Sequence, residues 1–470
     1  MSLTFSRKHM LGIAISLVFS SQAVAVNNEA IINQTSVAAS VGNEAMIVQS
    51  GDINVAVIDQ NGQLNVSEVR QDGVWLEAYN VVSGDDNQTS IEQKADWHIV
   101  TADTSGNANV IGVEQDGFYN VAEVILSGDE NQTSLLQLGD GGEAFVNVSG
   151  NNNTANIDQQ GVSNWVSAGF IGDNNSLIST QAGDNNEAGM FDLTGQGNSF
   201  ESLQNGNANV GGVVGILGDS NSFYVDQQGD GHVFIAFDVS GNNNLIDVYQ
   251  QGNVNEFILE PLQGDLNLIL VDQRGDANTV TAPAGISGND NQVDIWQEGN
   301  QNLAEFNVTG DGLNVEIYQT GEGNSATNNV NGLNNISAVS QSGDDNIVMT
   351  DISGEDNIVI IEQTGLANDV LVTTDANVSG NELIVQQQGD LNLVDVLVAG
   401  NSNSMDILQA GNGNWVAGED GFFALSGENG MLAVMQQGND NLVLGSQAGE
   451  GNMMSVTQVG DFNTAIVVQN

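Results

Sequence analysis

The sequence predicts an all-β fold: a β-solenoid of about 18 strand–turn–strand repeats of 22–23 residues, each built from two 11-residue half-units and amyloid-like in its stacking. Three observations predict it. Glycine recurs at Gly51, Gly62, Gly73 and Gly84 and then, past Ala95 in the same slot, every 11 residues from Gly106 to Gly183. Glutamine precedes alternate glycines, which sets the larger period. Between the glycines apolar residues alternate with period two, the spacing of a strand.

Taken in chain order, Arg7 and Lys8, the apolar run Leu11 to Phe19 and Ala23-Val24-Ala25 read as a signal peptide over 1–25. The apolar run falls well short of the ~20 residues a spanning helix needs. Residues 26–48 are expected to form an export or leader segment, and 49–470 the repeats. One half-unit reads Asn291, Val293, Ile295, Gln297, Gly299; the other reads Asn302, Ala304, Phe306, Val308, Gly310. Turns such as Gly84-Asp85-Asp86-Asn87 supply residues that tolerate positive φ.

Parity separates an inside from an outside. Columns such as Asn87, Thr89, Ile91, Gln93, then Asn131, Thr133, Leu135, Gln137, then Asn357, Val359, Ile361, Gln363 face one way. The strand acids Glu92, Glu114, Glu123, Asp158, Asp226, Asp272, Asp294, Glu305 and Glu362 face the other. The charge-free face is the inside. An unpaired amide buried there would cost several kcal/mol, but one recurring on each rung, ~4.8 Å apart, can bond its neighbours as a ladder. The expected ladder residues are Gln60, Gln71, Gln93, Gln115, Gln137, Gln159, Gln181, Gln204, Gln227, Gln250, Gln273, Gln297, Gln319, Gln341, Gln363, Gln409, Gln447 and Gln458. Asn65, Asn87, Asn131, Asn291 and Asn357 either join a ladder or bond their own turn backbone.

A repeated Q-x-G-x-x-N, as in Gln60-Asn61-Gly62-Gln63-Leu64-Asn65, Gln273-Arg274-Gly275-Asp276-Ala277-Asn278 and Gln458-Val459-Gly460-Asp461-Phe462-Asn463, resembles the curlin repeat. The resemblance covers nearly everything after the signal peptide. It implies a subunit exported unfolded through a dedicated outer-membrane channel and polymerised on the cell surface as a functional amyloid for adhesion and biofilm matrix. Its implied partners are other copies of itself and curli-type secretion and nucleation proteins. The chain departs from curlins in its length and in carrying an apolar residue where the second half-unit of a curlin has Gln. Gln fills every half-unit only near the ends, at Gln49, Gln60, Gln71 and at Gln436, Gln447, Gln458, Gln469. Those ends are either stacking faces or simply diverged terminal repeats.

Composition narrows the function classes. Five Lys+Arg stand against 60 Asp+Glu, which excludes nucleic acid as a partner and argues against docking on an anionic membrane surface. After signal removal only Arg70, Lys94 and Arg274 remain basic, a charge of −57. There is no Cys, so an exported chain is held by its ladders and packing rather than by disulfides. His98 and His232 are 134 residues apart and define no metal site or catalytic base. No nucleophile motif is present, and paired outward acids such as Glu92 and Glu114 follow from an acidic face, so no enzyme activity and no cofactor are expected. Asp/Asn-rich turns such as Gly343-Asp344-Asp345-Asn346 offer hard oxygens to divalent cations, Ca²⁺ among them, without a calcium-roll pattern. Tyr249, Trp296 and Tyr318 point outward, either as an adhesive patch or as scattered exposed rings without a role. Stacking is expected to need salt or divalent cations, since repulsion among the acids is screened once the Debye length falls to ~8 Å. The alternative reading is a monomeric secreted β-solenoid that acts as an adhesin or cation-binding surface protein.

Overall fold

The computed structural model describes residues 16–17, 27–36, 41–418 and 421–470. All of the signal segment 1–25 apart from Ser16–Leu17 lies outside the described residues. Two compact units, Met1–Gln227 and Gln228–Asn470, are each a parallel β-solenoid. Among the described residues no helix is long and apolar enough to cross a membrane.

Each 11-residue half-unit makes one strand and one turn, and two half-units close a coil. In the first unit Gln132–Asp140 belongs to one sheet and Glu143–Ser149 to the other. Each strand pairs in parallel with its counterparts one coil before and after: Gln137 faces Gln115 and Gln159, and Val146 faces Val124 and Ala168. We call the first the ladder sheet and the second the partner sheet. In the described residues the ladder sheet has eight strands from Glu44–Asp52 to Ser199–Asn205, and in the second unit ten from Leu245–Asn253 to Met453–Val459. Ser222–Asp230 spans the boundary.

Alternation buries one face of every strand. Thr133, Leu135 and Gln137 point in from the ladder sheet, and Ala144, Val146 and Val148 from the partner sheet. Both sheets supply fully enclosed rings, Phe200 and Phe223 from the ladder sheet and Phe170, Phe234, Phe257 and Phe306 from the partner sheet; each such ring stabilises by roughly 1.5–3 kcal/mol through area removed from water. No carboxylate, lysine or arginine is buried among the described residues.

The turns explain the glycine period. Gly84 has φ of 124°, and a Cβ there would lie 1.9 Å from the carbonyl oxygen of Gly106, its counterpart one coil on. Two residues later Asp86 is left-handed, with φ of 62°, and Asn87 immediately precedes the next strand, Gln88–Asp96. Glycine is thus needed both for conformation and for the close approach of successive coils.

Insertions respect the ladder. From the Asn before a ladder strand, through its Gln, to the start of the next strand is always 11 residues, as in Asn175–Gln181–Asn186 and Asn403–Gln409–Asn414. The return half through the partner sheet takes all the extra residues: 12 from Asn186 to Asn198, 13 from Asn368 to Asn381, and 16 from Asn414 to Gly430. A slip in the ladder strand would orphan buried amides, whereas the apolar partner sheet tolerates interruption.

The coils start earlier than the boundary at residue 49. Glu29–Thr35 pairs in full register with Val55–Asn61, and Glu44–Asp52 with Val66–Val74, although both fall in or overlap the segment 26–48 expected to be a leader. Asn28 and Gln34 occupy the positions of Asn54 and Gln60, but Ser36 stands in the glycine slot, so the motif is hidden.

Candidate functional site: the amide ladders

Inside each unit the ladder-sheet glutamines form a hydrogen-bonded column. In the first unit the Nε2 of Gln49, Gln71, Gln93, Gln115, Gln137, Gln159, Gln181 and Gln204 each donates to the Oε1 of the next Gln, ending on Gln227. In the second unit the column runs Gln250, Gln273, Gln297, Gln319, Gln341, Gln363, Gln387, Gln409, Gln436, Gln458. The second Nε2 hydrogen reaches across the coil to the opposite strand, as from Gln71 to the Val55 carbonyl at 2.9 Å. Both donors and the acceptor are therefore used, and every bond but the cross-coil one points along the same direction of the stack.

Asparagine makes a second kind of ladder that runs the opposite way. The backbone N–H and Nδ2 of Asn87 both donate to the Oδ1 of Asn65, at 3.0 Å each. The Nδ2 of Asn65 also donates to the Gly84 carbonyl in the turn, at 2.7 Å. Each Asn thus joins the ladder and ties a turn. Asn109, Asn131 and Asn153 continue the column in the first unit. In the second, Asn267 holds Asn291, and Asn335 holds Asn357.

Several ladder positions differ from the sequence expectation. Gln60 and Gln447 belong to the partner sheet, not to the ladder-sheet column, because half-units alternate between sheets. Gln60 accepts from Gln34 at 2.7 Å and donates to Ser67 Oγ at 2.7 Å. Gln447 is buried with neither amide atom bonded to protein. Gln387 and Gln436 are ladder members absent from that expectation; insertions in the return half set them 24 and 27 residues from Gln363 and Gln409. A second Asn column at the other turn was also missed; it includes Asn164, Asn186 and Asn209.

His98 and His232 occupy asparagine slots in that second column. The Nε2–H of His98 donates to the Lys94 carbonyl at 2.6 Å, and its Nδ1 accepts the Asn120 N–H at 3.2 Å. His232 does the same between Gln228 and Asn255, at 3.2 Å for both contacts. A neutral imidazole with its proton on Nε2 reproduces the donor and acceptor of an amide. Burial lowers the pKa of both, which keeps them neutral.

Outside, charges are spaced and tied. Lys94 Nζ lies 3.0 Å from Glu92 and 2.9 Å from Glu114, two carboxylates that face each other on neighbouring strands. The carboxylates raise the pKa of Lys94. Arg70 pairs with Glu68, and Arg274 with Asp272 at 2.8 Å. The outward aromatics singled out by sequence are partly engaged: the Arg274 guanidinium lies 5.5 Å over Tyr249, and Trp296 and Tyr318 are tilted at 6.4 Å. The Tyr318 hydroxyl donates to Asp294, and burial with that carboxylate pushes its pKa up to about 12. A tighter set went unnoticed: Trp75, Trp97 and Tyr119 stack at 5.0 and 5.6 Å along one turn edge, all left-handed. Their 22-residue spacing was the available signal. Among the described residues no group of three or more His, Asp and Glu is placed to hold a metal ion.

A family model for the curlin-associated repeat matches residues 42–73, 128–161, 150–178 and 288–321. These stretches contain ladder members Gln49, Gln71, Gln137, Gln159, Gln297 and Gln319. No curated protein matches the chain.

Proposed function

We propose that this chain, a member of the curlin-repeat family, is the structural subunit of a curli-like functional amyloid fibre on the bacterial surface, acting in adhesion and biofilm matrix. The observation that carries the reading is the pair of antiparallel amide ladders. A rung that donates through Gln on one side and through Asn on the other is compatible with an identical rung on either side, so a coil from a second molecule continues the pattern without new chemistry. The curlin-associated repeat supports the same reading, and the repeat is structural rather than enzymatic.

On this reading the protein is exported across the outer membrane, engages curli-type secretion and nucleation proteins, and assembles with copies of itself. Screening by salt or divalent cations permits stacking of mature chains that carry a charge of −57. The test is incubation of the purified mature chain across ionic strengths, followed by thioflavin fluorescence and fibre diffraction. Growth after a lag, faster at higher salt and with a meridional spacing of ~4.7–4.8 Å, supports the fibre. A folded chain that stays monomeric at every salt concentration refutes it and favours the lone surface adhesin.

A further inference from the structure

The first unit departs from its repeat at one place, and the departure builds a recess. Partner-sheet strand Glu187–Thr194 carries an extra residue: its pairing with Trp165–Ile171 shifts between Ala168 and Phe170, and Asp192 is left-handed, with φ of 53°. Bulges of this kind re-aim side chains. Here Phe191 lies over outward-facing Gly189, where a Cβ would stand 2.6 Å from its Cζ, and beside Gly212 on the following strand. The phenyl ring stacks on Trp165 at 5.4 Å, with planes 15° apart.

Phe191 approaches Trp165 from the strand that follows it. Beside Trp165 lies an open notch of about 430 Å³ lined by Gly141 and Glu143 of the preceding coil, Ser163, Asn164 and Trp165 itself, and Glu187 of the following strand. Register places Glu143 and Glu187 directly on either side of Trp165 in one outward column. Gly141 has no side chain in the slot that Trp97 and Tyr119 fill on earlier coils, so the floor is open. Both carboxylates are exposed, and none of the ion pairs among the described residues involves either. The cationic side chains of the repeats, Arg70, Lys94 and Arg274, are each paired with acids elsewhere.

We propose that this notch is a binding site for a guanidinium group, presented as an arginine side chain of a protein partner. A flat cation matches the surroundings in two ways. It stacks on the indole, whose opposite face is backed by Phe191, and its fork of N–H donors suits the flanking carboxylates. An ammonium satisfies the charge but offers no plane, and a neutral planar group offers a plane without charge. Because the register shift with its glycines is found at one place among the described pairings of this unit, the site recognises a single side chain rather than tracking along a polymer.

The test is calorimetric titration of the full mature chain, kept monomeric at low salt, with N-acetyl-arginine amide, N-acetyl-lysine amide and N-acetyl-citrulline amide. Saturable one-to-one binding of the arginine probe, with the lysine probe weaker and citrulline inert, is the expected result. Trp165→Leu and Glu143→Gln should each weaken arginine binding about fivefold, while the control pair Trp75→Leu with Glu77→Gln leaves it unchanged. Equal binding of citrulline, an equal loss in the control, or no saturable arginine binding overturns the assignment.

Discussion

Replacing Gln319 by Leu tests whether the glutamine column contributes to stability or is merely tolerated. In the native chain Gln319 accepts from Gln297 at 2.8 Å and donates to Gln341 and to the Leu303 carbonyl, both at 2.9 Å. Leucine fills similar space but leaves two buried amides short: Gln297 loses an acceptor and Gln341 a donor. Each orphaned group costs about 1–3 kcal/mol, against a gain of about 1 kcal/mol for the added apolar burial. The net loss is about 3 kcal/mol, close to a hundredfold in a local opening equilibrium. The assay is amide hydrogen exchange of Asn314–Glu322 and its two neighbouring ladder strands, since stacked repeats open locally rather than all at once. The partner sheet sets the contrast, because its equivalent column is apolar throughout Leu126, Val148 and Phe170 and is fully buried. Protection equal to or above that of the unmodified chain in Gln319→Leu would refute the claim that broken ladders are costly.

Two further changes probe the turns. Ala95 stands in a glycine slot at φ of 68°, where an L-residue costs about 1–2 kcal/mol, so Ala95→Gly should stabilise the Gln88–Asp96 strand by about 1 kcal/mol; reduced exchange protection there would contradict this. His98 has its pKa lowered mainly by burial, so the unfolded chain takes up the proton first: its contribution is intact above the unfolded value near 6.5 and is lost as pH falls below it. His98→Asn keeps the donor and acceptor without titrating, and should remove the acid-side loss of protection in Ile99–Ser105 that the unmodified chain shows between pH 7 and 5.

The inside of the coil was legible from residue order because strand parity is insensitive to what surrounds the strand. Thr133, Leu135 and Gln137 alternate with exposed neighbours whatever their partners, and the outward acids follow. Bond directions were not legible. Whether Asn65 serves a ladder or a turn depends on how close the next coil comes, and the answer, both, follows from a glycine contact too tight for any Cβ. Gln387 and Gln436 stayed out of the expected ladder because motif counting assumes a fixed period, whereas insertions are admitted in only one of the two sheets. His98 reads as an isolated titratable residue until its slot is recognised as an asparagine slot. The recess at Trp165 depends on a bulge at Asp192, three residues before the repeat glycine Gly195, and no periodic signal announces a single added residue.

The turn columns show how so acidic a chain stacks in register. Successive coils of the first unit present Asp85, Asn107, Asp129, Asn151 and Asp173 at one turn position, and each Oδ1 accepts the backbone N–H of the preceding coil. In the second unit Asn242, Asp265, Asn289 and Asp311 repeat the alternation. Either side chain makes that bond, so geometry alone does not require the pattern; charge does. Carboxylates on adjacent coils would sit ~4.8 Å apart and repel by about 0.9 kcal/mol even at the dielectric constant of water. Alternation doubles the separation to about a Debye length at 0.1 M salt. Where strand acids Glu92 and Glu114 do face each other, Lys94 lies between them. Asn151→Asp would place three carboxylates on consecutive coils and remove the Nδ2 bond to Asp173, now 3.1 Å long. The expected loss is about 2 kcal/mol at low salt, falling to about half at 0.15 M, read as exchange protection of Thr154–Val162 across ionic strength. Asp173→Asn, which removes a charge from the same column, should show little loss at either salt. If both substitutions cost the same, or if the Asn151→Asp loss ignores salt, alternation reflects turn conformation rather than the management of charge.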